Sequence, residues 1–180
     1  MIEGYGYSAT AAGLTLVPAT VTIGILSRFV GQYVDRIGTR WPLVVGSAIV
    51  ALGLSYLGWM RADGLWTVIV PSLVTLGIGM GLVVSPLSTA VMNAAASGKE
   101  GVASGINNAI SRTANLLAVA GLGLVAALAF TSTGAAGTFG EGGGANYEQG
   151  VIAGLVAVCF ASAALCAAAS VTALLAIRDE

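Results

Sequence analysis

The chain has 180 residues, 57% of them hydrophobic and only 8% charged, with a mean hydropathy of +0.92 and a net charge of -1. A water-soluble domain carries about 25% charged residues, so most of this surface must face lipid, and nothing in the charge balance points to nucleic acid. Histidine is absent, which removes the ordinary pH switch and most metal, triad and intramembrane hydrolase chemistry; no enzyme, metal site or cofactor is expected.

A bilayer crossing needs about 20 residues with few or no charges. Such gaps run from Glu3 to Arg28, Arg40 to Arg61, Asp63 to Lys99, Arg112 to Glu141 and Glu148 to Arg178. They predict an all-α, polytopic bundle of five membrane helices in one domain over 1–180, placed near 10–29, 41–60, 65–90, 105–130 and 150–177. The first apolar run lacks a basic leader and is too long for a signal-peptide core, so no cleaved leader is expected.

The first helix carries Pro18 in its interior with Thr15 and Thr22 on the same side, within about 60° at 100° per residue. A proline there frees a carbonyl that a threonine, water or a neighbour must satisfy, so this side should look into the protein, for packing or for a ligand. Next comes GQYVDRIGTRWPL, residues 31–43, the one place where several charges sit tightly between two apolar runs. Asp35, Arg36 and Arg40 cannot lie in hydrocarbon unpaired, so 31–40 reads as a short aqueous loop. Gly31 and Gly38 bracket the charges and suit a tight connection, and Pro42 fits the first turn of the following helix.

Basic residues near span ends stay on the cytoplasmic side. With 31–40 inside, Arg28, Arg36, Arg40, Lys99, Arg112 and Arg178 all fall on that side and only Arg61 falls outside, of the seven basic residues. The amino terminus is then outside and the carboxyl terminus cytoplasmic. Trp59 and Trp66 flank the outer turn 61–64 where an aromatic belt would place them.

In the third helix, GIGMGLVVSP holds Gly77 and Gly81 in GxxxG spacing ahead of Pro86. This predicts a close-packing surface with a bend at the proline, and a direct part in transport stays open. The segment GVASGINNAISRTANLLAVAGLG then brings Ser104, Asn108, Ser111, Arg112 and Asn115 within about 100° of one helix side. A stripe so polar should face the bundle interior or a water-filled cavity, as an inner gate or substrate path; a hydrogen-bonded helix contact with Arg112 reaching for the interface is the other reading. The glycine-rich stretch 131–149, with Glu141 and Glu148, reads as a flexible outer loop. Cys159 and Cys166 share the last helix about 10.5 Å apart, too far to bridge.

As a pattern the charged stretch is G-x-x-x-D-R-x-G-x-R, filled by Gly31, Asp35, Arg36, Gly38 and Arg40. It closely resembles the loop signature of the major facilitator superfamily of secondary transporters. GYSATAAGLTLVPAT and GVASGINNAISRTANLLAVAGLG are similar to segments of its fourteen-helix drug:proton antiporter branch, and the element order maps onto the last five helices. The resemblance implies a C-terminal fragment of an antiporter in the plasma or inner membrane, exporting lipophilic or cationic compounds by alternating access. Its partners would be membrane lipid, a small lipophilic substrate, protons and the missing transporter half. It further implies that Asp35 accepts bonds from a helix N-terminus and that Arg36 and Arg40 are its cationic partners or contact lipid headgroups, while Gly31 and Gly38 permit close approach. No Asp or Glu falls inside a predicted span, so the proton carrier is expected outside this piece. The competing reading is a self-contained five-helix membrane scaffold or regulator without transport activity.

Overall fold

A computed structural model of the chain describes residues 8–14, 16–59, 68–93, 95–96, 98–135 and 146–176, and these form helices joined by short turns, with no strand among them. The helices are α1 (Ala9–Leu14), α2 (Val17–Ile37), α3 (Arg40–Gly58), α4 (Val70–Asn93), α5 (Glu100–Ser132) and α6 (Tyr147–Ala176). Four of them, α3 to α6, are long and apolar enough to cross a membrane.

The expected first helix is split. A proline ring clashes with the carbonyl four residues back, and the helix stops at Leu14, four residues before Pro18. The amide of Leu16 closes a turn onto the Gly13 carbonyl at 3.1 Å, and α2 restarts at Val17. Pro18 therefore sits in a first turn, where its missing N–H is harmless, rather than in a helix interior. The Thr22 hydroxyl donates to the Pro18 carbonyl at 2.7 Å; Thr15 lies outside the described residues.

The second correction concerns 31–40. Helix α2 continues through residues 31–37, and only Gly38 and Thr39 separate it from α3. A helix satisfies its own backbone whether lipid or water surrounds it, so charges at its end do not force it to unwind. Gly38 makes the turn, with φ of 80° in the left-handed region that glycine adopts without penalty. The same extension places Arg28 inside α2 instead of at its end, and among the described residues α2 is not one of the helices long and apolar enough to cross. At the other junctions α5 begins at Glu100 and α6 at Tyr147, so Glu148 lies in a first helical turn, where a carboxylate suits the positive helix end, and not in a loop. Arg61, the turn 61–64, Trp66, Glu141 and Arg178 lie outside the described residues.

The helices pack as a row: α4 lies on both α2 and α3, α3 on α6, and α6 on α5, with little contact between α4 and α5 or between α2 and α3. Three glycines of α4 set this order. A Cβ on Gly77 would stand 2.8 Å from the Ala19 carbonyl oxygen, and one on Gly81 would stand 2.7 Å from Leu26 Cβ, so this pair receives α2. Gly79, on the other side, meets α3: its Cβ would stand 2.6 Å from Val50 Cγ2 and 2.8 Å from the Gly46 carbonyl oxygen. Gly46 reciprocates, since its own Cβ would lie 2.9 Å from the Gly79 oxygen. The expected GxxxG surface is there, doubled by a second glycine seam on the opposite side. Near the start of α4, Ile69 and Leu73 form a core with Ala19, Leu57, Leu76 and Leu155 around them. Buried Ser72 donates to the Val68 carbonyl at 2.6 Å, leaving no bare hydroxyl.

The seam generates a contrast. Gly79→Ala puts a methyl against backbone that cannot yield and should cost about 1–3 kcal/mol, whereas Gly123→Ala on α5, with nothing within 4 Å, should cost nothing. Denaturant unfolding of the two variants in detergent checks this; equal midpoints would contradict the α3–α4 packing.

Candidate functional site

The charged signature and the stripe on α5 occupy different parts of the bundle. Gly31, still helical, faces α4, where a Cβ would stand 2.9 Å from Ser85 Oγ. Arg40 opens α3 and reaches across the bundle: its Nη2 donates to the Leu174 carbonyl at 2.6 Å. Helix α6 is described to Ala176, and Leu174 lies in its last described turn. A guanidinium there adds a charge-assisted bond that ties α6 to the start of α3. One turn deeper, the Ser170 hydroxyl donates to the Val44 carbonyl at 2.8 Å, a second tie between α6 and α3. The signature thus lies at a node that joins α2 to α4 through Gly31, α2 to α3 through Gly38, and α3 to α6 through Arg40. The side chains of Asp35 and Arg36 lie outside what is described; their backbone belongs to the last turn of α2.

The polar stripe is laid out on α5 as the spacing requires, and Ser104, Asn108, Ser111, Arg112 and Asn115 are all exposed. None of them touches the interior of the bundle that these helices form. At about 100° per residue the stripe falls in the same sector as Val119, Leu122 and Ala126 further along the helix, of which Val119 is exposed and Ala126 buried. Leu117, Ala118, Gly121, Leu122 and Val125 wall an open groove of about 440 Å³ against Ala161, Ala164 and Leu165 of α6, about a quarter turn round α5 from the stripe. The side that carries the stripe turns inward only near the other end of α5, at Ala126 and Phe130. Val102, Ile106, Ile110, Leu124 and Leu128, on the opposite side, are exposed as lipid-facing residues would be. The far end of α5 is anchored by Phe130, whose ring meets Tyr147 edge-on at 5.6 Å and also covers Gly150.

A second groove, about 580 Å³, runs between α3 and α6 past Ala48, Leu52, Ser55, Phe160 and Ala167, with apolar walls. Cys159 is a free thiol packed beside Gly58, and Cys166 is a free thiol half-buried on the same helix. Sequence reasoning misses the Arg40–Leu174 and Ser170–Val44 bonds and the Gly46–Gly79 contact. The first two cross 134 and 126 residues and leave no local trace. The third has a visible signal, a glycine midway between Gly77 and Gly81 with another in the preceding helix.

Residues 1–119 match the model of the Major Facilitator Superfamily. The chain is 33% identical over 128 residues to the multidrug resistance protein Stp of Mycobacterium tuberculosis, an alignment covering 71% of this chain and 24% of the relative. It is also 27% identical over 119 residues to the uncharacterized MFS-type transporter Rv1250 of the same species, covering 65% of this chain and 20% of that protein. The aligned segment thus spans a fifth to about a quarter of the length of these relatives. With helices apolar enough to span a bilayer and a matched family of transporters rather than enzymes, it is a multi-pass membrane protein of the transporter class, and it belongs to the major facilitator superfamily.

Proposed function

We propose that this chain is part of a proton-coupled secondary transporter that exports lipophilic, often cationic, drug-like compounds by alternating access. The observation that carries the reading is the signature node, with Gly31 against α4 and Arg40 on the end of α6. A relative at 33% identity, a multidrug resistance protein, supports the substrate class.

In this reading the node is the lock of the cytoplasmic side. Asp35 accepts bonds from a helix N-terminus in one conformation and gives them up in the other, with Arg36 close by as a cationic partner. Arg40 holds the end of α6 to the start of α3 through a charge-assisted bond of a kind that contributes about 1.5–3 kcal/mol, enough to bias which conformation prevails but small enough to break within a transport cycle. Gly38 is the tight turn about which α2 and α3 change their angle. Ser104, Asn108, Ser111, Arg112 and Asn115 form the inner gate or the wall of the path on α5. The protein sits in the plasma or inner membrane with its amino terminus outside and its carboxyl terminus in the cytoplasm. It works with lipid, a small lipophilic substrate, protons and the remaining part of the transporter, which supplies the carboxylates that carry the proton.

Asp35→Asn in the full-length transporter should lower efflux of a fluorescent cationic dye by roughly tenfold, the weight of one charge-assisted bond, at unchanged membrane abundance. Unchanged efflux removes the gating role from this carboxylate. Orientation has its own check. A cysteine placed at Thr39, with Cys159 and Cys166 replaced by alanine, should resist a membrane-impermeant maleimide in intact cells and react after permeabilisation; labelling from outside reverses the topology.

A further inference from the structure

Two tryptophans mark the side of α3 that meets lipid. Trp41 and Trp59 are 55% and 78% exposed, and a spacing of 18 residues is five full turns, so they share one side of the helix about 27 Å apart. That is close to the ~30 Å of a hydrocarbon core, with one indole at each interface. Ala48 and Leu52 fall within about 20° of the line between them, and they belong to the α3 wall of the groove whose α6 wall holds Ala164, Ala167 and Val171. The groove therefore opens toward lipid. Its hydroxyl groups are already bonded, Ser55 to the Ala51 carbonyl at 2.9 Å and Ser170 to the Val44 carbonyl at 2.8 Å, so an occupant must be apolar there.

The two ends of the groove differ. At one end the Phe160 ring lies over Gly58, its Cε2 3.1 Å from where a Cβ would stand, and closes it. From Phe160 the groove runs about 16.5 Å along α6 to Val171. One turn beyond Val171, the Arg40 guanidinium sits on the Leu174 carbonyl. About 580 Å³ spread over that length is a cross-section of about 35 Å². A helix about 10–12 Å across needs more than twice as much, whereas a single hydrocarbon chain fits.

We propose that the α3–α6 groove is a binding site for one acyl chain of an anionic phospholipid whose phosphate lies on Arg40 at the open end. Charge complementarity sets the direction. The cation stands at the open end and the apolar Phe160 at the closed one, so the chain enters from the leaflet on the Arg40 side. A guanidinium carries five N–H donors in a planar fork, so it holds the Leu174 carbonyl and a phosphate oxygen together. The exposed indole of Trp41, next in the chain, belongs at headgroup depth. The seated lipid is then a third tie between α3 and α6, beside the Arg40–Leu174 and Ser170–Val44 bonds. A headgroup on Arg40 alone would exchange like any lipid around the bundle; the seated chain is what makes this a site. The inference requires only that α3 and α6 cross a bilayer, and it goes beyond the transport reading because nothing in it depends on substrate or proton.

Lipid retention tests this, so a failure here is distinguishable from a failure of efflux in the Asp35 variant. The 180-residue chain, purified in a mild detergent, is mixed with dioleoyl phosphatidylglycerol or dioleoyl phosphatidylcholine, and native mass spectrometry counts the lipid it keeps. It should keep one phosphatidylglycerol at roughly tenfold lower lipid concentration than phosphatidylcholine, the scale of one charge-assisted bond. Ala167→Phe, which fills the groove, should weaken that retention by roughly tenfold or more, since it displaces several buried methylenes. Ala118→Phe, in the α5–α6 groove, should leave it unchanged. Dihexanoyl phosphatidylglycerol, with the same headgroup and chains too short to fill the groove, should be lost. Arg40→Gln should bring the two headgroups level. Equal retention of both headgroups by the unaltered chain overturns the proposal, as does an Ala167→Phe variant that keeps the lipid, or short-chain lipid held as well as long. A dimer that Ala167→Phe abolishes overturns it too, because a second copy would then be the occupant. The headgroup and chain-length comparisons use the unaltered chain, so they stand even if a variant fails to fold.

Discussion

Everything in this bundle hangs on how closely α4 can approach its two neighbours. In lipid there is no hydrophobic gain from bringing apolar helices together, so association comes from close van der Waals contact and a few polar bonds. The alternating glycines of α4 supply the contact on both sides. Gly77 and Gly81 admit α2, and Gly79 with Gly46 admits α3, at separations where neighbouring atoms stand under 3 Å from where a methyl would be. Without them α4 could still be a helix, but not one wedged between two others. The row α2, α4, α3, α6 would then lose its middle.

On that frame the polar bonds between helices are few, and two of them sit together where α3 begins and α6 ends. Arg40 on the Leu174 carbonyl and Ser170 on the Val44 carbonyl both use backbone acceptors of the partner helix, one in the last described turn of α6 and one in the first turns of α3. The glycine contacts depend on close backbone approach, so they are lost if the helices separate by even the width of a methyl. The charge-assisted bond differs, since water or a headgroup can take over the carbonyl from Arg40.

The helices are legible in the sequence because charge is so scarce that the long gaps between charged residues mark them, although Arg28 and Arg112 fall within helices rather than at their ends. Their ends are less so. The spacing of charges requires that 31–37 meet water, which a loop would satisfy, but a helix emerging from the membrane satisfies the same condition; only Gly38 carries the signal of a true turn, and it is there that φ becomes positive. Pro18 misleads for a related reason: an apolar run looks continuous to a hydropathy argument, whereas the clash of a proline with the carbonyl of Leu14 is a local steric fact that cuts it. The Gly77–Gly81 surface is visible because both its members sit on one helix. The reach of Arg40 to α6 is not, because nothing near Leu174 distinguishes its carbonyl from those of the turns before it.

The signature node and the stripe on α5 answer different physical demands, and the difference separates a transporter part from a free-standing scaffold. A scaffold needs its helices satisfied by one another, and α2, α3, α4 and α6 meet that condition through glycine seams and short polar bonds. Helix α5 does not: it is pinned by Phe130 and Tyr147 at one end and turns an arginine, two asparagines and two serines onto open space over the next part of its length, on the very side that packs inward further along. Polar side chains at that position would weigh against a helix meant to face lipid, and the residues on its other side, Ile106, Ile110 and Leu124, show what its lipid-facing surface looks like. A polar surface that the described helices leave exposed sets this side of α5 apart from the apolar sides that the other helices turn outward.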